Sequence, residues 1–114
     1  MITRRGLGAL AAALLVAPRR AVADTDSDSH EQAMVEAAKT PADHAALATH
    51  FREEASKARS RSQHHELMAK AYSGKQGFTA ARPHCLRLAK TYEEAAVEYE
   101  RLAELHDAEA KKAQ

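Results

Sequence analysis

Cysteine and bulky aromatic residues are scarce in this chain, which limits how the fold can be stabilised. A single cysteine, Cys85, excludes a disulfide within the chain. The absence of Cys-x-x-Cys-His excludes covalent haem attachment through the usual signature. There is no tryptophan, and two Phe and three Tyr provide little bulk for a core. Such a small domain is expected to need a partner copy or a bound group for stability.

Long apolar runs are also missing. The longest one, Gly6–Ala17, has twelve residues and is too short to span a bilayer as a helix. It follows two arginines, Arg4 and Arg5, and precedes Ala21-Val22-Ala23, an arrangement typical of a cleaved signal peptide over residues 1–23. The paired arginines also resemble a twin-arginine signal, so both export routes stay open. We therefore expect a periplasmic or secreted protein.

Neither sign of charge dominates, and the balance changes once the signal peptide is left out. Four of the 17 Lys and Arg residues lie in residues 1–23, whereas none of the 16 Asp and Glu residues does, so the formal net charge moves from +1 to −3. All seven histidines remain in the following 91 residues. Without a basic patch we expect no nucleic-acid partner. No remaining apolar run is long enough for a transmembrane segment after cleavage.

The stretch after the predicted cleavage point has two parts. Residues 24–30 are polar and acidic, which predicts a disordered leader. Residues 31–114 form the predicted helical domain. Its first element is a short helix that ends at Lys39, and its residues Met34 and Val35 are available to cover part of a core.

Two long amphipathic helices are predicted beyond this point. Thr40-Pro41 with Asp43 is a helix-start signature, and apolar spacings of three and four continue to about Tyr72. After a glycine-containing turn, the same spacing returns from about Ala80 to Lys112. The expected fold is therefore all-α, an antiparallel helical hairpin with a short N-terminal helix. Both apolar stripes are narrow and rich in alanine, which favours dimerisation into a four-helix bundle.

A second pattern lies on top of the helical one. Residues of the two long helices correspond at a constant offset of 41 positions. The correspondence includes side chains able to bind a metal in addition to apolar side chains. Two unrelated amphipathic helices would be expected to share only the apolar positions. The corresponding pairs include His44 and Cys85, Leu47 and Leu88, Phe51 and Tyr92, and His65 and His106.

An antiparallel turn near Gln76 brings these side chains together in two clusters. Near the turn, His65 and Met68 are expected to face Cys85, with His84 on the flank. At the open end of the hairpin, His44 is expected to face His106. The predicted metal ligands are therefore His65, Cys85, Met68, His84, His44 and His106.

The chemistry of these ligands indicates which cofactors to expect. Thiolate, thioether and imidazole are soft or borderline ligands that suit copper(I) or zinc. A pair of imidazoles suits zinc, copper(II) or, as an alternative, the two axial positions of a non-covalent haem. Two copies of the chain would double the ligands at each end of the hairpin.

Each candidate also has an ordinary structural interpretation. A histidine that flanks a helical core is more often hydrogen-bonded than ligating, and Met68 is a common type of core filler. In an oxidising compartment, Cys85 has two further options, an intermolecular disulfide and a free thiol. His50 and His64 lie far from the apolar stripe, so we expect them to be solvated.

Two motifs carry a resemblance to known sequences. The run His44-x-x-Leu-Ala-x-His50-Phe51, together with His84-Cys85-x-x-Leu-x-x-x-Tyr92, resembles short exported bacterial α-helical hairpin proteins, most of them uncharacterised. The resemblance spans most of residues 41–110. It implies export and an α-hairpin, and it implies no activity.

The leading functional hypothesis is an exported small metal-binding protein that sequesters or transfers copper, with zinc second. Such a protein would exchange its ion with a metal-donor or metal-acceptor protein. The alternatives are a non-enzymatic structural or protein-interaction module and a haem binder. No nucleophile–base arrangement is visible in the sequence, so no enzymatic activity is expected.

Overall fold

Three helices account for most of residues 22–112, the part of the chain that the computed structural model describes. They are α1 (Val22–Ala37), α2 (Pro41–Ser73) and α3 (Ala81–Lys112), and no strand occurs in this range. The long helices α2 and α3 pack against each other as a hairpin, which confirms the predicted all-α class. The predicted signal peptide lies almost wholly outside the described residues. No helix between residues 22 and 112 is long and apolar enough to cross a membrane.

The start of α2 follows from its first four residues. Thr40 is the N-cap, with an extended backbone, and its side chain accepts a hydrogen bond from the Asp43 backbone N–H at 3.1 Å. The Asp43 carboxylate accepts from the backbone N–H groups of Thr40 and Lys39 in return. These backbone bonds lower the pKa of Asp43. The predicted capping box is therefore confirmed.

The turn between the long helices depends on two glycines. Gly74 caps the end of α2 and donates its N–H to the carbonyl of Tyr72. Gly77 has a φ of +88°, a conformation that residues with a Cβ rarely adopt. A short, sharply turned connection of this kind makes the two helices antiparallel neighbours.

The seam between α2 and α3 is built mainly from small residues. Leu47 and Phe51 are its bulky buried members. The others are alanines, which let the helix backbones approach closely, together with Cys85 and Ser62. The Ser62 hydroxyl donates a 2.7 Å hydrogen bond across the seam to the carbonyl oxygen of Ala89. The buried alanines are Ala48, Ala55, Ala58, Ala69, Ala89, Ala96 and Ala103.

Helix α1 differs from the sequence prediction. Residues 24–30, expected to form a disordered leader, lie in α1 instead. Further along, Met34 and Ala38 pack against the buried cluster around Leu47 and Phe51. Because these contacts hold the end of α1 on the hairpin, the residues before them extend an existing helix, which is easier than starting one.

His50 takes part in this docking. Its Nε2 atom lies 2.8 Å from the Glu31 carboxylate of α1, and its side chain is only 16% exposed. The expectation that His50 is solvated is therefore wrong. Its position on α2 lies outside the seam with α3, but α1 covers it.

Candidate functional site

The open end of the hairpin brings two histidines into direct contact. His44 lies near the start of α2 and His106 near the end of α3. Their Nδ1 atoms are 3.0 Å apart, and the ring planes are inclined by 23° with centroids 5.2 Å apart. The sequence register predicts this pair, and the structure brings it together.

The protonation of the pair follows from its contact. One ring donates its Nδ1–H and the other accepts through its Nδ1 lone pair, so the contact needs at least one uncharged imidazole. Burial lowers the pKa of His106, and the charge of His44 lowers it further, while Glu109 opposes both effects. The lowered pKa favours the neutral form of His106.

Acidification is expected to destabilise the metal-free protein. The pKa of His106 is lower in the fold than in the unfolded chain, so the unfolded chain binds more protons as the pH falls. The stabilising contribution is present above about pH 6.5, the unfolded value, and is lost as the pH falls through the folded value. Thermal unfolding with EDTA present, measured from about pH 7.5 to about pH 5, should show a falling Tm. In the variant His106→Gln this fall should be smaller, and an equal fall would contradict the assignment.

Aromatic stacking supports the orientation of His106. The Phe51 ring stacks on the His106 ring at 5.7 Å and an angle of 18°, and it also stacks on Tyr99 at 6.2 Å. Phe51 is only 3% exposed and Leu47 only 1%. The pair therefore packs against buried apolar side chains, which restrict the rotation of its rings.

The carboxylates nearest to the pair are engaged elsewhere. Asp43 caps α2, Asp107 forms an ion pair with Arg52, and Glu109 forms one with Lys112. Across residues 22–112 there is no group of three or more His, Cys, Asp or Glu side chains arranged to hold a metal ion. One chain therefore offers two ligand atoms at this end.

The spacing of the two nitrogens is close to what a metal ion requires. Zinc–nitrogen bonds of about 2.0–2.1 Å in tetrahedral geometry separate two ligating nitrogens by about 3.3 Å. The observed 3.0 Å reaches that value after a small ring rotation. Both rings can carry their proton on Nε2 and present a lone pair at Nδ1. A haem between the rings would require the packed helices to separate, whereas an ion would not.

The cluster near the turn is arranged differently from the prediction. His65 stacks on Tyr92 with parallel rings, 5.5 Å apart, and its Nδ1 atom is buried without a hydrogen-bond partner in the described part of the chain. Cys85 is 6% exposed and is not in a disulfide. Spacing alone predicts the stripe that holds Tyr92, but it does not predict that its ring covers His65.

The other two residues predicted for this cluster are Met68 and His84. Met68 is half-buried and lines a cavity of about 230 Å³ with Tyr72 and Lys75, and its role as a ligand stays a prediction. His84 is exposed, and its Nδ1 atom lies 3.2 Å from the Arg87 guanidinium, one helical turn further along α3. Within residues 22–112, the structure does not group His84 with His65 and Cys85.

A cleft that sequence reasoning missed lies between α1 and the hairpin. Its volume is about 380 Å³, and its lining includes two tyrosines, two acidic side chains and two basic side chains. The Arg61 guanidinium lies 5.9 Å from the centroid of the Tyr92 ring. Burial raises the pKa of Tyr99, as do nearby carboxylates. The lining side chains are Ser27, Asp28, Glu54, Lys57, Ala58, Arg61, Tyr92, Ala95 and Tyr99.

No family model, curated protein or solved structure matches the chain. The resemblance to exported bacterial hairpins therefore stays a prediction. Functional reasoning depends on the geometry of the side chains described above.

Proposed function

We propose that this protein is an exported metal-binding protein that sequesters or transfers copper or zinc. The His44–His106 pair is its ligand set at the open end. The contact that carries the proposal is the 3.0 Å approach of the two Nδ1 atoms, which belong to residues 62 positions apart in sequence. Neutral imidazoles are good ligands for both metals, and the lowered pKa of His106 favours the neutral form.

A second copy of the chain would complete the coordination. Structural zinc is almost always four-coordinate, and one hairpin supplies two nitrogens at this end. Leu102 and Leu105, within four residues of His106 on α3, are 38% and 64% exposed. Their burial between two hairpins would favour a four-helix bundle with both histidine pairs at one end.

This arrangement supports transfer as well as storage. A site shared between two chains opens when the chains separate, which offers a simple route for handing the ion to an acceptor protein. Nothing in the described part of the chain places a nucleophile beside a base at the pair. We therefore propose binding and exchange of the ion, not a chemical reaction.

Zinc binding provides the direct test. The purified protein should bind one zinc per two chains with a Kd below about 1 μM, which corresponds to roughly −8 kcal/mol. The variant His106→Gln should lose at least about 100-fold in affinity, the upper end of the loss seen even for residues that only support a ligand. Calorimetric titration gives the affinity, and sedimentation with and without zinc gives the oligomeric state.

The matched control is His64→Gln, because His64 is an exposed histidine on α2, the helix that carries His44. It should bind zinc like the original protein. Equal zinc affinity in the original protein and in His106→Gln would contradict the proposed site. Failure of the original protein to bind zinc or copper would reject the proposed function.

A second candidate function is a helical interaction module. The observation in its favour is the set of exposed apolar side chains away from the seam, which are common on surfaces that dock a partner. A metal-free folded dimer, isolated from its exported compartment, would favour this candidate. The largest of these side chains are Leu67, Phe78, Leu86, Leu88, Leu102 and Leu105.

A further inference from the structure

The 41-residue correspondence in the sequence extends to three-dimensional contacts. At the open end, Phe51 of α2 stacks on His106 of α3 with ring centroids 5.7 Å apart. Near the turn, Tyr92 of α3 stacks on His65 of α2 at 5.5 Å. Tyr92 occupies the position equivalent to Phe51, and His65 the position equivalent to His106. The hairpin therefore has an approximate two-fold axis that exchanges its helices.

The same axis relates His44 to Cys85. His44 supplies the hydrogen-bond partner of the His106 Nδ1 atom, so the equivalent partner for His65 would come from Cys85. Cys85 is 6% exposed. The His65 Nδ1 atom is buried and has no hydrogen-bond partner within residues 22–112.

An unpartnered buried nitrogen is unfavourable. Leaving such an atom unsatisfied destabilises the fold, because the nitrogen has lost its hydrogen bonds to water and gained none. A ligand that bonds to Nδ1 would remove this cost. The Ser62 hydroxyl is another polar group of the seam, but its hydrogen is already donated to the Ala89 carbonyl, so it does not donate to the His65 Nδ1 atom. The thiol of Cys85 is the group that the two-fold axis assigns to the His65 Nδ1 atom.

We propose that His65 and Cys85 form a second metal site, selective for copper(I), with Nδ1 and Sγ as ligands. The inference rests on the proposed metal-binding function and deepens it by separating two sites of different chemistry. A thiolate is a soft ligand that favours copper(I), whereas the imidazole pair at the open end suits zinc or copper(II). Binding converts the Cys85 thiol to a thiolate and releases its proton to solvent, with no change in the oxidation state of copper.

The test is an anaerobic titration of the purified protein with copper(I) in the presence of a competing chelator, bicinchoninate. The original protein should take copper(I) from the chelator and develop thiolate-to-copper absorption in the ultraviolet. Cys85→Ser and His65→Gln should each weaken copper(I) binding by at least about 100-fold. Cys85→Ser should also abolish the absorption. The exposed neighbour variant His64→Gln is the matched control and should behave like the original protein.

Zinc titrations of the same samples separate the two proposals. Cys85→Ser should keep the zinc affinity of the His44–His106 pair, whereas His106→Gln should lose zinc and keep copper(I). Circular dichroism checks that each variant is folded, and His65→Gln decides the result if Cys85→Ser unfolds. Copper(I) affinity that is unchanged in Cys85→Ser or in His65→Gln would overturn the second site. Absence of copper(I) binding by the original protein would overturn it as well, whatever the zinc result.

Discussion

Replacing Phe51 by alanine should cost about 3–5 kcal/mol of the free energy of unfolding. Phe51 is the largest side chain of the buried seam, and it contacts three other rings, those of His50, Tyr99 and His106. A small domain has only about 5–15 kcal/mol of total stability. The variant should therefore unfold at a much lower denaturant concentration, which urea titration followed by circular dichroism will measure.

The approximate two-fold axis supplies a matched control. Tyr92 is the equivalent residue at the other end, but it is half-buried instead of buried. Tyr92→Ala should therefore destabilise the protein less than Phe51→Ala. Phe51→Leu, which keeps an apolar side chain at the position, should fall between the original protein and Phe51→Ala. If Phe51→Ala lowered the free energy of unfolding no more than Tyr92→Ala does, the result would contradict the larger contribution expected from the more deeply buried Phe51 ring.

Enlarging Ala96 to leucine should destabilise the protein by about 1–3 kcal/mol through overpacking. Ala96 is fully buried and packs with Ala55 and Ala58 in the middle of the seam. A larger side chain there forces the helix backbones apart along a contact that depends on small residues. For a domain of this size, each 1 kcal/mol lowers the Tm by about 4–8 °C, so a thermal melt will detect the change.

The same substitution on the solvent side of α3 is the control for this effect. Ala108 is exposed, so Ala108→Leu adds the same atoms without crowding the seam. It should change the free energy of unfolding by no more than about 0.5 kcal/mol, as surface changes usually do. The Tm should therefore stay close to that of the original protein. A higher Tm for Ala96→Leu would indicate that the seam contains unfilled space.

Much of the hairpin could be predicted because its signals are local. The capping box at Thr40 and Asp43 depends on backbone N–H groups that all lie between Lys39 and Asp43. Spacings of three and four define the buried faces. A short turn then fixes which residues of α2 and α3 face each other. That is why the pairing of His44 with His106, 62 residues apart, follows from sequence reasoning.

Features that depend on α1 or on side-chain rotation could not be predicted in this way. The contact between His50 and Glu31 requires the position of α1 on the hairpin, which no periodicity defines. The cleft between α1 and the hairpin also requires the position of α1, so the sequence does not predict it. Adjacency in sequence suggests that His84 lies beside Cys85, but adjacent residues on a helix point in directions about 100° apart. Its ring lies near Arg87 instead.

The stacked rings at the open end have a consequence for the whole hairpin. A seam of methyl groups is nearly degenerate, because a shift of one helix by a turn, about 5.4 Å, would bring alanines against alanines again. The hydrogen bond from Ser62 to the Ala89 carbonyl does not remove this degeneracy, because backbone carbonyls recur once per turn and a shifted helix would offer another acceptor. Phe51 does remove it, because such a shift would take its ring off the rings of Tyr99 and His106. A few bulky rings in an otherwise repetitive interface therefore select which histidines meet.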